Sequence, residues 1–135
     1  MKNLKIYNGG LPVEKIFSKW YKLKNGGMLL TFVGIVRDDK GVEGLSFDIY
    51  KPMLKQWFKK WEDKVLMAHS VGNVYVGETS FMCGIYSKHR EFKLIEEFVE
   101  DFKANAPIWK YDLIKGDRVF AKKRGKKLSN AGILV

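Results

Sequence analysis

The sequence holds a single cysteine, Cys83, so no disulfide can form within the chain. A cytoplasmic, reducing location is the simplest expectation. Histidine is nearly as scarce. His69 and His89 are the only two, and neither sits with the cysteine pairs of a zinc motif. No apolar run approaches the roughly 20 residues needed to cross a bilayer. The opening "MKNLKIYNGG" lacks the apolar core of a secretory signal. Neither a Walker-type loop nor a G-x-G-x-x-G fingerprint is present, which removes the common nucleotide folds. Negative charge is in the minority. Fifteen acidic residues face 25 lysines and arginines, a formal net charge of +10. The carboxylates lie mostly among lysines on helical segments such as "EEFVEDFK", with no isolated pair suited to acid–base work.

What is present describes a packed globule. Hydrophobic residues make up 46% and aromatics 14% of 135 residues, enough for one domain, 1–135, with a real core. The positive balance favours anionic partners: nucleic acid, a phosphorylated small molecule or an acidic protein. It is densest in "KGDRVFAKKRGKK", which reads as a basic C-terminal tail from about residue 122.

Periodicity then divides the chain. "LKIYNGG" reads as a short edge strand and turn. In "PVEKIFSKWYKLK", Val13, Ile16, Phe17 and Trp20 recur at helical spacing, and Pro12 suits a first helical turn. "MLLTFVGIVR" reads as a buried strand and "LSFDIY" as a half-buried one. "KPMLKQWFKKWEDK" forms a second helix with Leu54, Trp57, Phe58 and Trp61 on one face. The stretch from Val65 to His89 is β-rich, with breaks at "VGN" and Gly77. "REFKLIEEFVEDFKANA" is a third helix with a stripe of Phe92, Ile95, Val99 and Phe102. "PIWKYDLIKGDRVFAK" gives two short strands around "KGD". The order β-α-β-β-α-β-β-α-β-β indicates an α+β fold with a mainly antiparallel or mixed sheet.

The candidate chemistry is cationic. Ser70 next to His69 cannot make a hydrolase pair, because neighbours on a strand face opposite sides. Cys83 in "SFMCGIY" reads as a buried strand cysteine. Arg37 closes the strand "TFVGIVR" where a loop begins, a place for a ligand-facing side chain or for a solvated arginine. His89 and Arg90 lie between a strand and a helix, where a bound anion would offset the cations' repulsion from the helix N-terminus. Lys103 stands at the border of an apolar stripe. It is either a snorkelling lysine paired with Glu100 or an amine held against the protein body, where desolvation and other cations favour its neutral form. Pro107 ends the helix, so Lys110 on the following strand can turn back towards Lys103. Trp109 between them is expected in the core.

Taken in order, "TFVGIVR", "GLSFDIY", "GNVYVGE", "SKHR" and "FKANAPIWK" resemble the large, catalytic subunit of molybdopterin synthase, from about Met28 to Phe120. The resemblance implies an α/β hammerhead fold with an additional antiparallel β-sheet. It implies a homodimer with a small ubiquitin-like sulfur-carrier subunit docked at each end. The carrier would bring sulfur as a thiocarboxylate on its C-terminal Gly-Gly, and cyclic pyranopterin monophosphate would receive it, giving the dithiolene of molybdopterin. The lysines flanking "APIW", Lys103 and Lys110, are then the catalytic pair. Arg37, His89, Arg90 and Phe32 line the substrate pocket, with His89 and Arg90 reaching across from the neighbouring protomer. No cofactor or metal is implied, and no cysteine is needed, since the sulfur arrives on a partner. The basic segment Lys122 to Lys127 would guide an acidic partner. The chain departs from the pattern at "HSVG", where Ser70 replaces an arginine and receives no role. Two spacings are also short, Trp61 to His69 and Arg90 to Lys103. Shortening the third helix by about two residues turns Lys103 through roughly half a turn relative to His89 and Arg90, unless the loop absorbs it. A competing reading of charge and aromatics alone is a nucleic-acid-binding α+β module, but no RNA-binding signature is present.

Overall fold

The computed structural model describes residues 3–23 and 26–120. The basic tail from about residue 122 lies outside the described residues. Seven strands and three helices follow in the expected order: β1 (Leu4–Asn8), α1 (Val13–Tyr21), β2 (Met28–Ile35), β3 (Gly44–Ile49), α2 (Lys51–Phe58), β4 (Leu66–Tyr75), β5 (Thr79–Ser87), α3 (Phe92–Asn105), β6 (Ile108–Ile114) and β7 (Asp117–Phe120). The strands form one mixed sheet in the order β2-β5-β4-β3-β6-β7, and β1 pairs with β4 in parallel.

β4 organises the sheet. The break expected at "VGN" is instead a change of partner within one continuous strand. Leu66 to His69 pair with β5, whereas Gly72 to Tyr75 pair with β3. Gly72 sits at the changeover with φ of +84°, a backbone conformation that a residue with a Cβ rarely adopts. The glycine therefore bends the strand without ending it.

Alternation along β4 and β5 sorts the two faces. Ala68 and Met82 turn towards α1 and pack with Leu11 and Ile16. Trp20 of α1 lies against Gly84, where even a Cβ would come within 3.0 Å of the indole ring. On the opposite face, Met67, Cys83 and Ile85 pack with Leu54 and Phe58 of α2 and Phe98 of α3 in the main core. Burial pushes the Cys83 thiol up to about 12, which leaves it an inert core side chain.

Three packing expectations need correction. "MLLTFVGIVR" is expected to be buried, yet among the described residues β2 is an edge strand that pairs with β5 alone, and Phe32, Val33 and Ile35 are exposed. A run of apolar β-formers states what a strand can bury, not whether a neighbour covers it. In α3, Ile95, Val99 and Phe102 of the expected stripe do pack against the main core, but the fully buried residue is Phe98, and Phe92 at the helix start is exposed. Trp109 is half-buried and stands outside both core clusters. It alternates with Ile108 and Lys110, so it occupies the sheet face they leave.

Candidate active site

Five residues, one from each of five strands, build the floor of a cavity across the sheet. Gly34 of β2 lies opposite Phe81 of β5, Phe81 opposite His69 of β4, and Phe47 of β3 opposite Lys110 of β6. The rings of Phe47, His69 and Phe81 contact one another, the first pair edge to face. Phe47 and His69 have centroids 4.9 Å apart, and His69 and Phe81 are 5.8 Å apart. Phe102, from the last turns of α3, stacks on Phe81 at 4.2 Å and closes the aromatic wall. The cavity, open to solvent on one side, has a volume of about 530 Å³.

The local sequence explains how the cations reach it. α3 runs to Asn105, and Ala106 is extended with ψ of 131°, as a residue before proline must be. Pro107 therefore stops the helix, and β6 starts at Ile108. Lys103 in the last helical turn and Lys110 on the strand both line the cavity. At the other side, β2 slips register between Gly34 and Ile35. A bulge re-aims the residues that follow. Ile35, Val36 and Arg37 consequently all line the cavity, where strict alternation from Gly34 would send Ile35 and Arg37 away.

The structure thus brings Phe32, Arg37, Lys103 and Lys110 to one cavity. Arg37 has an exposed side chain, and its Nη2 lies 3.3 Å from Asp39 Oδ2. Lys103 is exposed and Lys110 is half-buried. His89 and Arg90 are not among the lining residues. Both are exposed in the turn between β5 and α3, where the His89 backbone N–H donates to Ser87 Oγ at 3.2 Å. Ser70 is fully buried on the face opposite His69, and its hydroxyl donates to the Gly9 carbonyl at 2.6 Å, tying β4 to the turn after β1.

His69 is the cavity residue that sequence reasoning missed. It is buried, and its Nδ1 lies 2.7 Å from the Ser70 carbonyl. A carbonyl can only accept, so Nδ1 carries the proton and Nε2 keeps a lone pair. Burial, above all, lowers its pKa to about 4. The Ser70 bond works against that shift and the Lys110 charge adds to it. The imidazole is therefore neutral near pH 7. A signal was available: "VLMAHSV" places one polar residue on the same face as Met67, and a lone polar side chain on a core face needs a partner or a purpose. Among the described residues, no group of three or more His, Cys, Asp or Glu side chains could hold a metal.

An aromatic-walled cavity with several cations on an α+β scaffold suits a planar, anionic small molecule. Comparison with known proteins makes the class specific. The chain belongs to the MoaE protein family, whose model matches residues 10–105. The molybdopterin synthase catalytic subunit of Helicobacter pylori is 45% identical over 143 aligned residues, covering 97% of this chain and 99% of that protein. The catalytic subunit from Dictyostelium discoideum is 31% identical over 110 residues, covering 67% of this chain and 70% of its own. Among solved structures, a protein–protein complex of subunits 1 and 2 of molybdopterin-converting factor from Helicobacter pylori aligns with a TM-score of 0.85 and 44% identity, covering 98% of this chain and 99% of that one. Molybdopterin synthase from Staphylococcus aureus shares the fold, with a TM-score of 0.68 at 21% identity over 93% of this chain and 99% of that one.

Proposed function

We propose that this chain is the catalytic subunit of a molybdopterin synthase. It transfers sulfur from the thiocarboxylated Gly-Gly end of a small ubiquitin-like carrier to cyclic pyranopterin monophosphate, building the dithiolene of molybdopterin. The observation that carries this reading is the shared cavity of Lys103, Lys110 and Arg37 in a MoaE family member. Replacing oxygen by sulfur needs a site for the thiocarboxylate, stabilisation of a developing oxyanion, and a proton for the departing oxygen. An ammonium group supplies the last two. We assign Lys103 and Lys110 to those roles, Arg37 to the substrate phosphate and Phe32 to an aromatic contact at the exposed rim. His89 and Arg90 are assigned to the cavity of a neighbouring protomer in a homodimer. Their exposure and their absence from the lining of their own cavity favour that placement. The carrier is the expected second subunit, in line with the two-subunit complex known for the Helicobacter pylori relative. We place the reaction in the cytoplasm. Among the described residues no helix is long and apolar enough to cross a membrane.

The nucleic-acid reading loses its footing. Trp20, Trp57 and Trp61, which stand near lysines in sequence, pack against the two cores and are not free platforms for bases. The direct test is an assay with purified chain, thiocarboxylated carrier and the cyclic pyranopterin. Lys103→Ala and Lys110→Ala should each cut turnover by roughly 10²-fold or more, the scale of a lost general acid or oxyanion partner. Full activity in both variants would overturn the assignment.

A further inference from the structure

We propose that His69 is a positioning residue for Lys110: its Nε2 lone pair accepts a hydrogen bond from the lysine ammonium and holds the amine towards the cavity. This rests on the reading of Lys110 as a catalytic residue.

The two side chains are brought together through Phe47. Lys110 faces Phe47 across the β3–β6 ladder, and the Phe47 ring meets the His69 imidazole edge to face at 4.9 Å. Both residues line the same cavity. The ring of His69 is fixed on every side that could turn it. Phe47, Phe81 and Phe102 pack around it, and the Ser70 carbonyl takes the Nδ1 proton. That last bond decides the chemistry of the other nitrogen. With Nδ1 protonated, Nε2 can only accept. The charged groups that line the cavity with it are Lys103, Lys110, Arg37 and Asp39, three of them donors only, and Asp39 lies 3.3 Å from Arg37. Lys110 is near enough for its charge to act on the imidazole.

A neutral acceptor suits this duty. A carboxylate in the same place would neutralise Lys110 and repel an incoming phosphate and thiocarboxylate. An imidazole that stays neutral at working pH orients the ammonium and leaves its charge intact. A lysine has four rotatable side-chain bonds, so fixing its end removes a search the bound substrate would otherwise wait for.

The test compares two replacements of His69 in the full chain with carrier and substrate. His69→Phe keeps a ring for the aromatic wall but removes the acceptor, and His69→Gln restores an acceptor. His69→Phe should lower kcat roughly ten-fold, the worth of one ordinary hydrogen bond, with KM nearly unchanged. His69→Gln should recover most of the loss. In a Lys110→Ala background, His69→Phe should have no further effect, because the partner it positions is gone. Unchanged kcat in His69→Phe, or an effect that persists undiminished beside Lys110→Ala, would overturn the proposal. A second readout does not need turnover. In ¹⁵N NMR of the imidazole, Lys110→Ala should move the Nε2 resonance towards that of an acceptor without a donor. An unmoved resonance would refute the contact even if the chain transferred no sulfur. Absence of transfer by the unaltered chain would instead refute the proposed function.

Discussion

His69 also makes a pH signature. An imidazole in the unfolded chain takes a proton near its ordinary value of 6.5, but burial holds the folded one back until about 4. Between those values the unfolded chain binds more protons, so folding stability falls as pH falls. The contribution is complete above 6.5 and lost through about 4. Its size is about 3 kcal/mol by the linkage of pKa to free energy. Urea unfolding followed by tryptophan fluorescence should show the chain weakening across that window, and His69→Phe should weaken less. Parallel curves for the two proteins would contradict the account. The other cavity residues were legible as residues. Lys103, Lys110 and Arg37 stand in motifs whose order and spacing are uncommon. His69 was not, because a single histidine in an apolar strand has no motif; only its neighbours across three strands give it one.

Asp101 links α3, which carries Phe102 and Lys103 of the cavity, to the segment after α2. Its Oδ2 accepts from Trp61 Nε1 at 2.8 Å and lies 3.1 Å from Lys60 Nζ, while its Oδ1 accepts from Asn105 at 2.6 Å. Burial raises its pKa, but those three partners together outweigh it and hold the carboxyl below its ordinary value of 3.8. Its contribution is therefore present at neutral pH and lost only in stronger acid, below the window of His69. Asp101→Asn should cost about 1 kcal/mol at pH 7, the typical net worth of a hydrogen bond, since the site is partly solvated. Thermal unfolding at pH 7 would measure it; no change in Tm would mean the link between α3 and the segment after α2 is slack. Helix boundaries such as the Pro107 stop followed from local sterics and were predictable. The bulge at Gly34 and Ile35 was not, although it brings Ile35 and Arg37 into the cavity beside Val36. A bulge depends on how β5 pairs with β2, and that information lies some fifty residues away.

The charge of +10 acts at the scale of the whole molecule. If the carrier presents an acidic surface, attraction over a Debye length will speed encounter. Stopped-flow association should slow as salt is raised from low ionic strength to about 0.5 M, with the dissociation rate much less affected. An association rate indifferent to salt would remove charge from the docking account. The proposed homodimer has its own check: analytical ultracentrifugation should give twice the chain mass, and a monomer would leave His89 and Arg90 without a cavity to enter.

By itself the sequence determined the order of elements, the α+β class, the end of α3 and the identities of the cations, because these depend on local propensity, periodicity and short motifs. Only the tertiary structure decided that β2 is an edge, that β4 serves two sets of partners, and that His69 faces the same cavity as Lys110. Those facts depend on which strand lies beside which. Strand pairing joins residues far apart in the chain, and no local pattern of side chains carries that register.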